Sequence, residues 1–228
     1  NTGKAVELQP DNPSYYYDRG AILHTLERYE PAFSDITKAI ELDPENAGYY
    51  DSRGVTLHEM RRFDDALGDK TKAIELDSQN ARYYDGRGVT LHEMRRFDDA
   101  LADKTKAIRL DPNNARYYNS RGVTLHELKR YKEALKDKTK AIELEPDNAR
   151  YYDSREITLH MMERFEEALE DKTKSIELEP DNAGYYDNRG VMLHNMKRYD
   201  EALLDKTKAI ELEPQSALYH FSRGLTLG

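Results

Sequence analysis

The chain has 228 residues, a formal net charge of −9, 35% charged residues and no cysteine, with a mean hydropathy of −0.94. The lack of cysteine excludes disulfides and thiolate metal sites, no apolar run reaches the roughly 18 residues of a membrane-spanning helix, and the acidic balance argues against nucleic acid or a membrane as partner. The net charge is modest for this length and the 17 tyrosines recur at fixed phases, which describes a folded chain with a thin core rather than a disordered one.

Residues 1–12 read as the second half of a 34-residue unit. Six full copies follow at 13–46, 47–80, 81–114, 115–148, 149–182 and 183–216, and residues 217–228 read as the first half of another. The stretches 49–82 and 83–116 differ at only five positions. Such a period describes stacked supersecondary units, none of which buries its apolar face alone. Neither end looks like a polar cap, so the chain reads as a piece of a longer protein.

Within the copy 47–80, Asn46 suits a helix N-cap, as do Asn12, Asn80, Asn114, Asn148, Asn182 and Ser216 in the same place. Tyr50, Arg53, Gly54 and Leu57 follow helical spacing and predict a first helix over about 47–60. Arg61 and Arg62 fall at its end and Asp64 and Asp65 at the start of the next, each where the helix dipole favours its charge. Ala66, Leu67, Lys70, Ala73, Ile74 and Leu76 predict a second helix over about 64–77, and an acidic residue followed by proline closes most copies. Helices of this length span about 20 Å, and the short connection makes each pair antiparallel. Gly54 and Ala66 are small enough for the two backbones to approach closely.

The pattern Tyr50, Arg53-Gly54, Leu57, Phe63, Ala66, Lys70, Ala73 and a closing proline, repeated in phase along the chain, resembles the tetratricopeptide repeat. The resemblance implies an all-α solenoid of antiparallel helix pairs, a right-handed superhelix whose first helices line a concave groove, and a role in binding proteins or peptides. Two positions depart from the family pattern: Arg53 stands where leucine is common and Lys70 where an aromatic is common. Arg53, Arg87, Arg121, Arg155 and Arg189 are expected to pair with Asp69, Asp103, Asp137, Asp171 and Asp205 on the facing helices, as a ladder along the stack. Loss of one partner would cost about 3–5 kcal/mol if the pairs are buried, and under about 1 kcal/mol if they are exposed.

Asp51, Val55 and His58 share one face of their helix, and by the resemblance that face looks into the groove. The candidate binding residues are therefore Asp51, Asp85, Asn119, Asp153 and Asp187 beside His58, His92, His126, His160 and His194. No metal site is expected, because equivalent residues on neighbouring helices lie roughly 8–10 Å apart whereas ligands of one zinc ion each lie about 2 Å from it. Neither a nucleophile with a base nor a cofactor motif is present. The histidines would titrate together near pH 6–7 and make the groove acid-sensitive; their alternative role is packing. The chaperone-binding carboxylate clamp of the family is missing, since Asp51 and Val55 occupy its places. The arginine column at 28, 62, 96, 130, 164 and 198 could meet phosphate, but the acids that follow it neutralise it.

Repeat five departs furthest, with Glu156 for the glycine, Ser175 for an alanine and Met161-Met162 for Glu-Met. A glutamate where backbones meet is expected to splay its helix pair or turn outward to water, and a bend or partner contact would centre on Glu156, Ile157 and Met161. The functional expectation is a non-enzymatic scaffold that binds an extended peptide or protein segment, without cofactor, nucleic acid or membrane. A rod built by end-to-end self-association and a regulatory arm of an enzyme remain as alternatives. The residues leave the compartment open, with a slight lean to the cytoplasm.

Overall fold

The computed structural model describes residues 2–228. Its helices are α1 (Thr2–Leu8), α2 (Pro13–Thr25), α3 (Tyr29–Leu42), α4 (Ala47–Glu59), α5 (Phe63–Leu76), α6 (Ala81–Glu93), α7 (Phe97–Leu110), α8 (Ala115–Glu127), α9 (Tyr131–Leu144), α10 (Ala149–Met161), α11 (Phe165–Leu178), α12 (Ala183–Asn195), α13 (Tyr199–Leu212) and α14 (Ala217–Leu227). Among the described residues there is no strand. One compact unit runs to Asn113 and a second from Asn114 to Gly228. In the first, α2 packs on α3, α4 on α5 and α6 on α7, with α3 seated on α4 and α5 on α6. In the second, α8 to α13 pair in the same way and α14 lies on α13.

The core is a series of small clusters rather than one centre. Ile36, Ala39, Ile40 and Tyr49 make one, and Ala73, Ile74 and Tyr83 another. In the second unit Ala115, Ala141, Ile142 and Tyr151 repeat the arrangement. Each cluster joins a second helix to the first helix of the following pair, so the apolar contact crosses from one copy to the next. The buried tyrosine is the first of each doublet (Tyr49, Tyr83, Tyr117, Tyr151, Tyr185), and its neighbour Tyr50, favoured by helical spacing, is only half-buried. Alanines 66, 100, 134, 168 and 202 are fully buried where the paired helices meet. At Gly54 an added Cβ would stand 2.9 Å from Lys70 Cγ and 3.2 Å from the Ala66 carbonyl oxygen, so the close approach requires glycine there.

The Asn46 side chain accepts from Gly48 N at 3.0 Å, and Asn12, Asn80, Asn114 and Asn148 cap their helices in the same way. Each such cap is worth about 1 kcal/mol. Asn182 and Ser216 stand at the N-cap but make no capping bond, which corrects the expectation for those two. The connection between paired helices also differs from the sequence reading. Arg61 adopts a left-handed conformation (φ 59°), as do Glu27, Arg95, Lys129, Glu163 and Lys197. Arg61 N donates to His58 O and Arg62 N to Leu57 O, both at 2.9 Å, closing a Schellman turn that satisfies two end carbonyls without glycine. The second helix therefore starts at Phe63, one residue before the expected place.

Repeat five packs differently from its neighbours. Glu156 does not turn to water: it is buried, its Oε2 lies 3.1 Å from Lys172 Nζ, and α10 and α11 pack less closely than the other full helix pairs. A parting also occurs between successive first helices. α2 meets α4, α4 meets α6, α8 meets α10 and α12 meets α14, but among the described residues no Cα of α10 lies within 8 Å of one in α12. A cavity of about 350 Å³ fills the gap.

Candidate interaction surface

The arginine at the first-helix position reaches across its helix pair to the aspartate sixteen residues later. Arg53 Nε donates to Asp69 Oδ2 at 2.7 Å and Arg53 Nη2 to Asp69 Oδ1 at 2.8 Å. The same bidentate fork joins Arg19 to Asp35, Arg87 to Asp103, Arg121 to Asp137, Arg155 to Asp171 and Arg189 to Asp205, at closest distances of 2.6–2.7 Å. Arg53 Nη1 also donates to Thr37 Oγ1 of the preceding second helix at 3.2 Å, as Arg155 does to Thr139 and Arg189 to Thr173. Each of these arginines thereby ties one helix pair to the pair before it. The aspartates are nearly buried and the guanidiniums about four-fifths so, which places the pairs between the buried and exposed limits. Their geometry is that of strong charge-assisted bonds.

A second row of charge, not seen in the sequence, lies beneath the first-helix face. Lys70, Lys104, Lys138, Lys172 and Lys206 are only 2–3% exposed. Lys138 Nζ donates to the Ser154 carbonyl at 2.7 Å, and Lys206 Nζ to the Ser222 carbonyl at 2.9 Å and Thr226 Oγ1 at 2.8 Å. Burial pushes Lys104 and Lys138 down to about 8 and also lowers Lys70 and Lys206, since an ammonium loses its hydration there. The 34-residue spacing, with Ala66 and Ala73 on the same helical face, was the signal that could have shown this row to be buried.

The expected groove acids are less accessible than their helix face suggests. Asp51, Asp85 and Asp187 are buried, and only Asn119 and Asp153 are partly exposed. Asp51 Oδ2 accepts from Arg82 Nε and Nη2 at 3.0 and 2.6 Å, and Asp51 Oδ1 lies 3.8 Å from Lys70 Nζ. A carboxylate so enclosed serves the joint between α4 and α6 rather than facing solvent.

His58, His92, His126, His160 and His194 are half-buried, each edge-on to the aromatic that opens the next helix, as His58 is to Phe63 with ring centroids 5.2 Å apart. His24, His58, His126 and His194 bond through Nδ1 at 3.1 Å to Thr56, Thr90, Thr158 and Thr226 of the next first helix. The Thr56 hydroxyl already donates to the Ser52 carbonyl at 3.0 Å, so it accepts from His24 and selects the Nδ1–H tautomer. Burial, with the ammonium of Lys70 or Lys138, holds His58 and His126 below the ordinary 6.5. For those two the protonation expected near pH 6–7 moves to lower pH.

At His160 the threonine is replaced by Met192, and both side chains line the cavity between α10 and α12. Ile157, Met161 and Val191 stand exposed at its rim, at 48%, 51% and 40%. Asp153 and Glu156 lie on its floor, both paired with Lys172. The arginine column on the opposite helix ends is engaged locally, Arg62 with Asp65 at 2.6 Å and Arg130 with Glu133 at 2.7 Å. Among the described residues no three His, Asp or Glu side chains come together as a metal site, and no helix is long and apolar enough to cross a membrane.

Known proteins give the fold a family. Two profiles described as tetratricopeptide repeat match the chain, one over 115–148 and one over 13–46, 81–114 and 183–216. No curated protein matches it. Among solved structures, YrrB, described as a TPR protein with an unusual peptide-binding site, is 28% identical over 83% of this chain and 97% of that one, with a TM-score of 0.62. A tetratricopeptide repeat protein from Parabacteroides merdae ATCC 43184 is 18% identical over 100% of this chain and 90% of its own, with a TM-score of 0.76. The structure of the APC/C hetero-tetramer Cut9-Hcn1 reaches a TM-score of 0.81 at 13% identity, and this chain spans 45% of the length of that one. The matched blocks cover more than half of the sequence, and the helix pairs have the geometry of these solenoids: the chain belongs to the tetratricopeptide repeat family, whose fold is that of a protein-interaction scaffold.

Proposed function

We propose that this chain is a non-catalytic scaffold that takes an extended peptide or protein segment along the face of its first helices, within an array of six full repeats over 13–216. The observation that carries this reading is the exposure of Ile157, Met161 and Val191 around an open cavity on that face, because clustered apolar side chains beside a concavity mark interaction sites. The net charge of −9 favours a protein partner over nucleic acid or an anionic membrane. The described peptide-binding site of YrrB, the most similar in sequence of the structures compared above, points the same way. Selection of displayed twelve-residue peptides against the full chain, followed by fluorescence anisotropy, tests it. Selected peptides should bind the wild type and lose at least about tenfold in affinity with Ile157→Asp or Met161→Asp, which place a charge where an apolar contact forms. Peptides that bind both variants as well as the wild type would remove the first-helix face from consideration.

A further inference from the structure

The joint between α10 and α12 differs from that between α4 and α6 in charge as well as in packing. Over Asp51, Arg82 supplies both of its bonds to one carboxylate oxygen, Oδ2, while Lys70 faces the other. The residue that would play the role of Arg82 over Asp153 is Gly184, thirty-one positions later. Lys172 holds Asp153 Oδ1, and no bond from the described residues reaches Oδ2. The place of Gly54, three residues after Asp51, is taken by Glu156, three residues after Asp153. Where one carboxylate takes direct pairs from two cations at Asp51, two carboxylates share the one direct pair with Lys172 here, and Lys138 of the preceding repeat acts on both from further off. The Asp153 side chain is 31% exposed where that of Asp51 is 2%.

We propose that the cavity at this joint is a subsite for an arginine side chain of the bound segment, with an apolar neighbour of that arginine resting on Ile157, Met161 and Val191. The guanidinium takes over Asp153 the place that Arg82 holds over Asp51, and Asn188 and Asn195 on the opposite wall offer amide groups to its remaining donors. Arginine suits the site better than lysine because its planar fork brings two N–H groups to a single carboxylate. Each of the two acids then has a direct cationic partner, Glu156 in Lys172 and Asp153 Oδ2 in the ligand guanidinium. The chain's own Arg82–Asp51 pair shows that this fold accepts such a group here, and the apolar rim supplies the contact area that a lone ion pair lacks. The proposal rests on the reading of the first-helix face as the binding face and names the side chain it selects.

The test is a titration of the full chain, methyl-labelled at methionine, with the capped tripeptide acetyl-Leu-Arg-Leu-amide and the same peptide carrying neutral citrulline. The arginine peptide should shift the Met161 and Met192 methyls and bind at least about tenfold more tightly than the citrulline peptide, the loss expected when a charge-assisted pair becomes neutral. Asp153→Asn should remove that preference. Gly184→Arg should abolish binding by filling the site from within, while Gly184→Ala leaves it unchanged. An added Cβ at 184 would meet Tyr219 Oη at 3.8 Å and Asn182 Oδ1 at 3.3 Å, a tight contact that a small shift of the Asn182 side chain relieves. Equal binding of both peptides, or undiminished binding by Gly184→Arg, overturns the arginine subsite. If display-selected peptides still bind that variant on the first-helix face, the general reading survives; if none binds even the wild type, both fall.

Discussion

Replacing Lys138 by methionine should stabilise the protein at neutral pH and lose that advantage at pH 10. The ammonium is almost wholly buried and donates to the Ser154 carbonyl at 2.7 Å. Burial lowers it from the ordinary 10.5 to about 8, with Glu156, Asp153 and Glu127 partly offsetting the fall. A depression of that size corresponds to about 3 kcal/mol of unfavourable folding free energy while the group is charged in both states. Because the folded value lies below the unfolded one, the unfolded chain holds the extra proton between about pH 8 and 10.5, and stability rises with pH through that window. Methionine has a similar length and no charge to desolvate, but it leaves the Ser154 carbonyl without this donor at a cost of about 1 kcal/mol. The net gain at pH 7 is therefore about 1–2 kcal/mol, in the range seen when buried ions give way to apolar side chains. Urea unfolding followed by circular dichroism at pH 7 and pH 10, on wild type and Lys138→Met, measures it. The upper limit matters, because burial raises Tyr151 and Tyr185 to about 12, so above pH 10 the unfolded chain ionises its phenols first and stability falls. A variant less stable than wild type at pH 7, or a difference that is the same at both pH values, would refute the reasoning.

Three further outcomes are expected. Arg155→Leu should destabilise by about 2–3 kcal/mol, since it strands the nearly buried Asp171 while solvent screens some of the charge; the double variant Arg155→Leu/Asp171→Leu should recover more than half of that loss in thermal unfolding. Lys129→Gly should stabilise by about 0.5–1 kcal/mol, because Lys129 has φ 59° and glycine adopts that conformation without steric cost; an unchanged or lower melting temperature would count against the strain. For His58 and His126, NMR titration should give midpoints below 6.5, in line with their lowered values. Stability should then be full above pH 6.5 and decline as pH falls through the folded-state midpoints; midpoints at or above 6.5 would refute the burial argument.

Periodicity made the helix pairs legible, because a helix face repeated in phase admits one packing scheme. The Arg53–Asp69 partnership was inferred from recurrence alone, and the structure places those groups 2.7 Å apart. Other features were hidden by residue type. A lysine reads as surface, so the buried row from Lys70 to Lys206 was missed although its spacing shared the face of Ala66 and Ala73. An arginine in a left-handed turn leaves no mark like that of glycine, so Arg61 read as an ordinary helix end. At repeat five the presence of Glu156 in the place that Gly54 holds was plain in the sequence, but its effect was not. A buried partner, Lys172, keeps the glutamate inside, and the packing loosens both within the pair α10–α11 and toward the next first helix. The removal of Arg82's counterpart at Gly184 lies thirty-one residues from Asp153, a separation that only the stacked fold makes into a contact.

The missing hydrogen bond at His160 also bears on how the second unit responds to load. Where His126 holds Thr158 and His194 holds Thr226, a pull along the stack must break a polar bond as well as separate the packed helices. At the joint of α10 with α12, Met192 meets His160 without such a bond, and the helices already stand apart. Thermal opening and applied force should therefore concentrate at one place instead of spreading evenly, as they would in a chain of identical joints. Occupation of the cavity would supply the cross-link that this joint lacks, so a bound segment would act as a splint and stiffen the stack where it is most compliant.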